Sequence, residues 1–187
     1  MTVKEFLDYL SQELNRSPRT VISYAEDLYA FEAYFLDKDE GLTWETIDTD
    51  IIRDWMESMV DKGNSPSSVA RRLSAVKGFF KFALAREFIS SDPAHAIRSP
   101  KRSRPLPQFL KENEINDLLD KQAWGDDFKG LRDRLIIMMF YETGVRLAEL
   151  VGMDDEAVNL AGQFIKVTGK GDKQRVIPFG NELKSMI

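Results

Sequence analysis

Apolar residues recur at helical spacing through the first 90 positions of the chain. Thr2 and Glu5 form a capping-box pattern, and Val3, Phe6, Leu7, Leu10 and Leu14 follow on one stripe, which predicts a helix near the start. Ser17-Pro18 supplies a cap and a first-turn proline for a second helix, whose inward stripe is Val21, Tyr24, Ala25, Leu28, Phe31 and Phe35. After a loop at 38–41, a third helix is expected from Thr49 to Lys62. Ile51, Ile52, Trp55, Met56 and Met59 point inward there, and Gly63 provides the stop.

Ser65-Pro66 repeats the start signal for a fourth helix reaching Glu87. At about 1.5 Å per residue it is roughly 33 Å long. Val69, Leu73, Val76, Phe80, Ala83 and Leu84 share one arc, while Arg71, Arg72, Lys77, Lys81 and Arg86 spread over the other. A helix with one apolar and one cationic face can pack on a bundle and lie along DNA. Phe82 falls in the cationic arc and reads as core against another helix.

The pattern breaks from Asp92 to Gln108. Pro93, Pro100, Pro105 and Pro107 exclude a helix interior, and Arg98, Lys101, Arg102 and Arg104 lie among them, as in a semi-extended basic linker. Beyond it, Ile115, Leu118 and Leu119 mark a helix over 112–121, and the apolar run Leu135–Tyr141 marks a buried helix that Gly144 ends. A short helix starts near Arg146. Residues 163–167 and 174–178 alternate as two strands around a glycine-rich tip, Thr168 to Lys173, and 181–187 begin another helix. The fold class is therefore mainly α: a four- to five-helix front domain over 1–98, a linker over 99–107, and an α+β piece with a small antiparallel sheet over 108–187.

Charge changes the picture. The net charge is −5, yet residues 65–108 hold nine cations against Glu87 and Asp92, a local +7 that leaves −12 for the rest. A basic belt on an acidic protein can neutralise phosphates, while the surrounding acid limits nonspecific binding. A solvated charged face is the plainer alternative for such a segment taken alone. With no cysteine, disulfides and cysteine-held metals are excluded. No apolar run reaches the roughly 20 residues of a membrane span and no signal-peptide pattern opens the chain, so a soluble, cytoplasmic protein is expected.

Two segments carry candidate chemistry. In Thr143-Gly144-Val145-Arg146-Leu147-Ala148-Glu149-Leu150, a glycine turn feeds a helix start, where Arg146 and backbone N–H groups can meet an anion. Arg146 offers a bidentate fork for two phosphate oxygens, and Glu149, one turn on, can hold that guanidinium or nearby backbone. In Gly169-Lys170-Gly171-Asp172-Lys173-Gln174-Arg175, two glycines at the hairpin tip let Lys170 extend from a rigid base toward a minor groove or a leaving oxygen. Alone, the first could be an ordinary helix-surface pair and the second a charged turn.

Together and in this order, Tyr141 to Leu150 and Val167 to Pro178 resemble the motifs of the tyrosine recombinase (phage integrase) family, and the likeness extends over nearly the whole chain. The front half is similar to the family's SAM-like core-binding domain. Leu106 onward looks like the opening of its catalytic domain, and the early start of the helices resembles that of Xer-type or simple mobile-element recombinases.

The resemblance implies site-specific recombination of double-stranded DNA. A tyrosine hydroxyl attacks a DNA phosphate, forming a 3′-phosphotyrosyl link and releasing a 5′-hydroxyl, and an incoming 5′-hydroxyl reverses the step. Neither cofactor, metal nor small-molecule substrate is needed. Cationic clamps on the nonbridging oxygens stabilise the transition state. Arg146 matches the family's first catalytic arginine, Glu149 its supporting acid and Lys170 the general acid for the leaving oxygen. Arg71, Arg72, Lys77, Lys81, Arg98, Lys101, Arg102, Arg104, Lys173 and Arg175 are expected on DNA, the last two equally as hairpin structure. A homo- or heterotetramer on paired sites is implied, away from membranes.

The family's later His-x-x-Arg and tyrosine have no match. His95 stands in the linker entrance, Tyr9, Tyr24, Tyr29 and Tyr34 on front helices, and Tyr141 before the arginine motif. These 187 residues are thus expected to stop within the catalytic domain and to bind DNA without cleaving it. A non-catalytic DNA-binding regulator derived from a shortened recombinase is the alternative. A helical protein-interaction module, which would show no salt-dependent DNA binding, is the third.

Overall fold

The computed structural model describes residues 1–101, 106, 108–121, 124–169 and 171–187. The chain divides into two compact units, Met1–Pro105 and Leu106–Ile187.

The first unit is helical. Its α1 (Val3–Asp8) opens on the expected capping box: Glu5 N–H donates to Thr2 Oγ1 at 3.3 Å, and Thr2 N–H to the Glu5 carboxylate at 2.7 Å. The helix then widens into a π-turn (Tyr9–Glu13), with Leu14 N–H donating to the Tyr9 carbonyl at 3.1 Å. That extra residue per turn rotates Leu14 off the buried stripe, so the inward position expected for it is corrected to an exposed one. There follow α2 (Pro18–Lys38), α3 (Thr49–Asp61) and α4 (Pro66–Ala85), capped by Ser17, Asp48 and Ser65.

Aromatic side chains interlock at the centre. Phe31 meets Phe35, Trp44 and Trp55, while Phe79 meets Phe6, Trp44 and Phe80. Phe82 belongs to this core as expected, its ring in tilted contact with those of Phe6 and Tyr9. The segment after α2 is more than a loop, because Trp44 and Ile47 fill the core and Trp44 Nε1 donates to Glu32 at 2.7 Å.

Two expectations need correction here. α4 ends at Ala85, not Glu87; Glu87 takes a φ of 59°, and Leu84 is left exposed. The segment from Asp92 is not yet linker: Ala94 and Ile97 are buried, and Thr49 Oγ1 donates to the Pro93 carbonyl at 2.8 Å. Proline excluded a helix there without excluding a packed turn.

The second unit contains α5 (Glu112–Lys121), α6 (Phe128–Thr143), α7 (Leu147–Val151), a 3-10 turn (Asp155–Ala157), and the strands β1 (Val158–Asn159), β2 (Phe164–Thr168) and β3 (Gln174–Pro178), followed by α8 (Asn181–Met186). The strands form an antiparallel sheet in the order β1-β2-β3, with Val167 opposite Arg175. Its core joins Ile115, Leu119, Met138, Met139, Val145, Ile165, Val167, Phe179 and Leu183. The strand β1 went unforeseen, since two residues give no alternation. α6 is buried over the expected run, with Met138 and Met139 in the core and Leu135, Ile137 and Phe140 packed against it, but its first turn is not. Phe128, Leu131 and Tyr141 are exposed.

Candidate active site

The turn between α6 and α7 fixes where Arg146 leaves the backbone. Buried Thr143 donates its hydroxyl to the Met139 carbonyl and accepts the Val145 N–H at 3.3 Å. Gly144, at φ 60°, ends α6 in the left-handed region, and Val145 anchors the next position in the core. Arg146 then adopts extended geometry as the N-cap of α7, its side chain 71% exposed.

Glu149 closes the turn. Its Oε2 accepts the Arg146 N–H at 2.8 Å, and its Oε1 accepts the Arg146 guanidinium at 2.9 Å. A second guanidinium arrives from β3, where Arg175 donates Nη1 to Oε1 at 2.6 Å and Nη2 to Oε2 at 2.8 Å. Four donors thus converge on one carboxylate whose side chain is 5% exposed. The Arg175 hydrogen bonds foremost, then those from Arg146, hold the Glu149 carboxyl down to about 2 against the opposing effect of burial. The same contact raises the Arg175 guanidinium.

With the Arg146 N–H turned to Glu149, the anion-binding group that α7 presents is the guanidinium itself. The carboxylate carries −1 and the two arginines +2, so the cluster retains one positive charge, and its most exposed member is Arg146. Such a group binds an anion and steadies charge growing on it.

The hairpin rests on this cluster. A Cβ at Gly169 would lie 3.1 Å from Glu149 Oε1 and 3.3 Å from Arg175 Nη1, so glycine is what permits the approach. Gly169 N–H donates to the Lys173 carbonyl at 2.8 Å, and the Lys173 side chain is exposed. Lys170, Arg102 and Arg104 lie outside the described residues.

In the helical unit, the cations of α4 are mostly bonded within their own unit. Arg71 grips Asp27 with both terminal nitrogens, at 2.5 and 2.8 Å, and also donates to Ser23 at 2.8 Å. Arg72 places Nε 3.9 Å from the same carboxylate. Lys77 donates to the Ile97 carbonyl, and Arg86 pairs with Glu13 above the Tyr9 and Phe82 rings. Lys81, Arg98 and Lys101 are exposed, and His95 is a surface residue. The expected cationic arc exists, but four of its five members also brace the bundle.

Sequence reasoning missed Asp27 and Glu142. Asp27 lies between Tyr24 and Leu28 of the α2 stripe, and an acid inside an apolar stripe was the signal that it has a partner. Glu142 accepts the Gly180 N–H, where a Cβ would stand 2.6 Å from its carboxylate. Among the described residues no cluster of His, Asp or Glu is arranged to hold a metal, and no helix is long and apolar enough to cross a membrane.

The fold is shared with DNA-bound integrases. The Tn1549 transposon integrase in complex with transposon right end DNA superposes with a TM-score of 0.74 at 17% identity, covering 100% of this chain and 63% of that one. A lambda integrase dimer bound to a COC′ core site superposes at 0.67 with 22% identity, covering 100% and 67%. The sequence pattern of the phage integrase N-terminal SAM-like domain matches residues 3–87, and that of the phage integrase family matches residues 108–187. The chain belongs to the phage integrase family of tyrosine recombinases. It is 38% identical to the tyrosine recombinase XerC of Mycobacterium sp. (strain KMS) over 178 residues, 94% of this chain and 59% of that protein. To the XerC of Natranaerobius thermophilus it is 38% identical over 177 residues, 95% and 58% respectively. The chain therefore spans just under three fifths of the length of these relatives.

Proposed function

We propose that the chain binds double-stranded DNA and carries the phosphate-clamping side of a site-specific recombination centre. The carrying observation is the Arg146–Glu149–Arg175 cluster, a braced guanidinium with residual positive charge beside the lysine hairpin. In this reading Arg146 holds the nonbridging oxygens of one phosphodiester, Glu149 orients it, and Lys170 protonates the leaving 5′ oxygen. Lys81, Arg98, Lys101, Arg102, Arg104 and Lys173 follow the phosphate backbone, while Arg71, Arg72 and Lys77 add field from fixed positions. Residues 1–98 act as the core-binding domain, 99–107 as the basic linker and 108–187 as part of the catalytic domain. The complete centre works in the cytoplasm as a recombinase tetramer on paired sites.

The tyrosine positions support a finer point. Tyr9 is in the π-turn, Tyr24, Tyr29 and Tyr34 are on α2, and Tyr141 is on α6 ahead of the arginine turn. None stands where the family's motif order puts the nucleophile, so these 187 residues bind DNA without cleaving it. The test is a titration of a labelled mixed-sequence duplex at rising salt, with a supercoiled-plasmid assay alongside. Affinity is expected to fall steeply with salt, because each phosphate contact releases counterions. Salt-independent binding contradicts the DNA reading, and a covalent protein–DNA adduct contradicts the non-cleaving one.

A further inference from the structure

Glu149 poses a problem for the reading above. A carboxylate that bonds Arg146 through both its backbone and its guanidinium would cancel the charge meant for the phosphate. The two would then form a neutral pair, attractive to each other and of little use to an anion. The geometry shows what prevents this. Arg175, standing on β3 opposite Val167, engages both carboxylate oxygens, whereas the Arg146 guanidinium engages one.

We infer that Arg175 is a positioning and charge-balancing residue: by occupying Glu149, it leaves the Arg146 guanidinium braced but electrostatically available to a DNA phosphate. The inference rests on the proposed reading of Arg146 as a phosphate ligand, and assigns Arg175 a place behind that contact instead of on the DNA.

Three observations agree. Arg175 makes the shorter bonds to the carboxylate and is the more enclosed arginine of the two. It bonds both carboxylate oxygens from the strand and is the leading cause of the low Glu149 pKa. The close approach of Gly169 to both partners ties the hairpin to the same pair, so one residue sets the field at Arg146 and the seat of the lysine loop. Lys173 and Lys184 also belong to this unit but have no bond to Glu149 among the described residues.

The test is the salt dependence of duplex binding in a charge cycle, read as the slope of log affinity against log salt for one mixed-sequence duplex. Arg146→Ala should lower the slope by about 0.9, one phosphate contact. Arg175→Met should lower it by a similar amount although Arg146 is intact, because Glu149 then neutralises Arg146. Glu149→Gln combined with Arg175→Met should restore the slope to the wild-type value, since the carboxylate charge is gone. Arg175→Lys should keep most of it, and Lys184→Met gives the size of a generic charge loss. The Glu149 carboxyl, followed by carbon NMR, should move up toward its usual value in Arg175→Met.

If Arg175→Met and the double variant lose the slope equally, Arg175 touches DNA itself and the inference falls. No loss in a folded Arg175→Met protein overturns it too. Should Arg175→Met unfold, Arg175→Lys and the double variant decide alone: a slope lost in both contradicts the inference. An unchanged slope in Arg146→Ala instead refutes the phosphate reading on which all of this stands.

Discussion

Asp27 in the helical unit and Glu149 in the mixed unit do the same formal job, one carboxylate between two arginines, yet protons see them differently. Asp27 is walled into the α2–α4 seam with two hydrogen bonds from Arg71 and a longer approach from Arg72. Burial pushes its carboxyl up, and the Arg71 contact only partly pulls it back. Glu149 is less deeply set, desolvation weighs less on it, and four donors hold it at about 2. More donors and shallower burial together separate a carboxylate that reluctantly fills a core wall from one that organises a site. The surroundings differ in the same sense. The helical unit interlocks its aromatic rings around Phe31 and Phe79, while the mixed unit leaves Phe128, Leu131, Leu147 and Val151 exposed around a thinner core.

The largest expected effect tests the packing side of this contrast. Phe31→Ala should cost the helical unit about 3–5 kcal/mol, by cavity formation among rings that cannot collapse. Chemical denaturation reads it, and a loss below about 1 kcal/mol would mean the aromatic core is not what stabilises the unit. Next comes Arg71→Ala, which leaves Asp27 enclosed with only the distant Arg72. We expect about 1–3 kcal/mol, discounted because Arg71 itself is half exposed. Arg71→Ala combined with Asp27→Leu should recover most of it.

Acid then sharpens the comparison. The folded pKa of Glu149 is depressed from the usual 4.5, so its contribution is complete above that value and disappears as pH falls toward 2. Glu149→Gln should therefore differ from the parent at neutral pH and converge with it near pH 2. For Asp27 the folded pKa is raised, the folded state binds the proton more tightly, and its share of stability grows as pH falls through that value. Thermal melts of Glu149→Gln and Asp27→Asn against the parent across pH 2 to 6 check both signs. The smallest effect is Gly169→Ala, about 1 kcal/mol, because the Glu149–Arg175 pair must yield only a few tenths of an ångström.

Elements set by a local rule were legible in the sequence: capped helices with clean stripes, the Thr143–Val145 turn and the two alternating strands. Those that depend on a distant partner were not. Trp44, Ala94 and Ile97 enter the core from segments without periodicity, and Leu14 leaves it because a π-turn changes the count by one residue. At the site, the spacing of Arg146 and Glu149 showed that they could pair. That Arg175 completes the cluster follows from strand register, which pairs β2 with β3 and brings the hairpin against α7. The cations of α4 were readable as an arc, but their partners Asp27, Glu13 and the Ile97 carbonyl belong to other segments.

The account depends on the Arg146 guanidinium meeting a DNA phosphate. Side-chain nitrogen NMR on the chain during a titration with duplex DNA observes that group itself. The Arg146 Nε–H resonance is predicted to shift on adding duplex and to return as salt is raised, in step with the binding curve. If it stays fixed while the cations of the helical unit respond, DNA is held by the first unit alone and the clamp assigned to Arg146 does not exist.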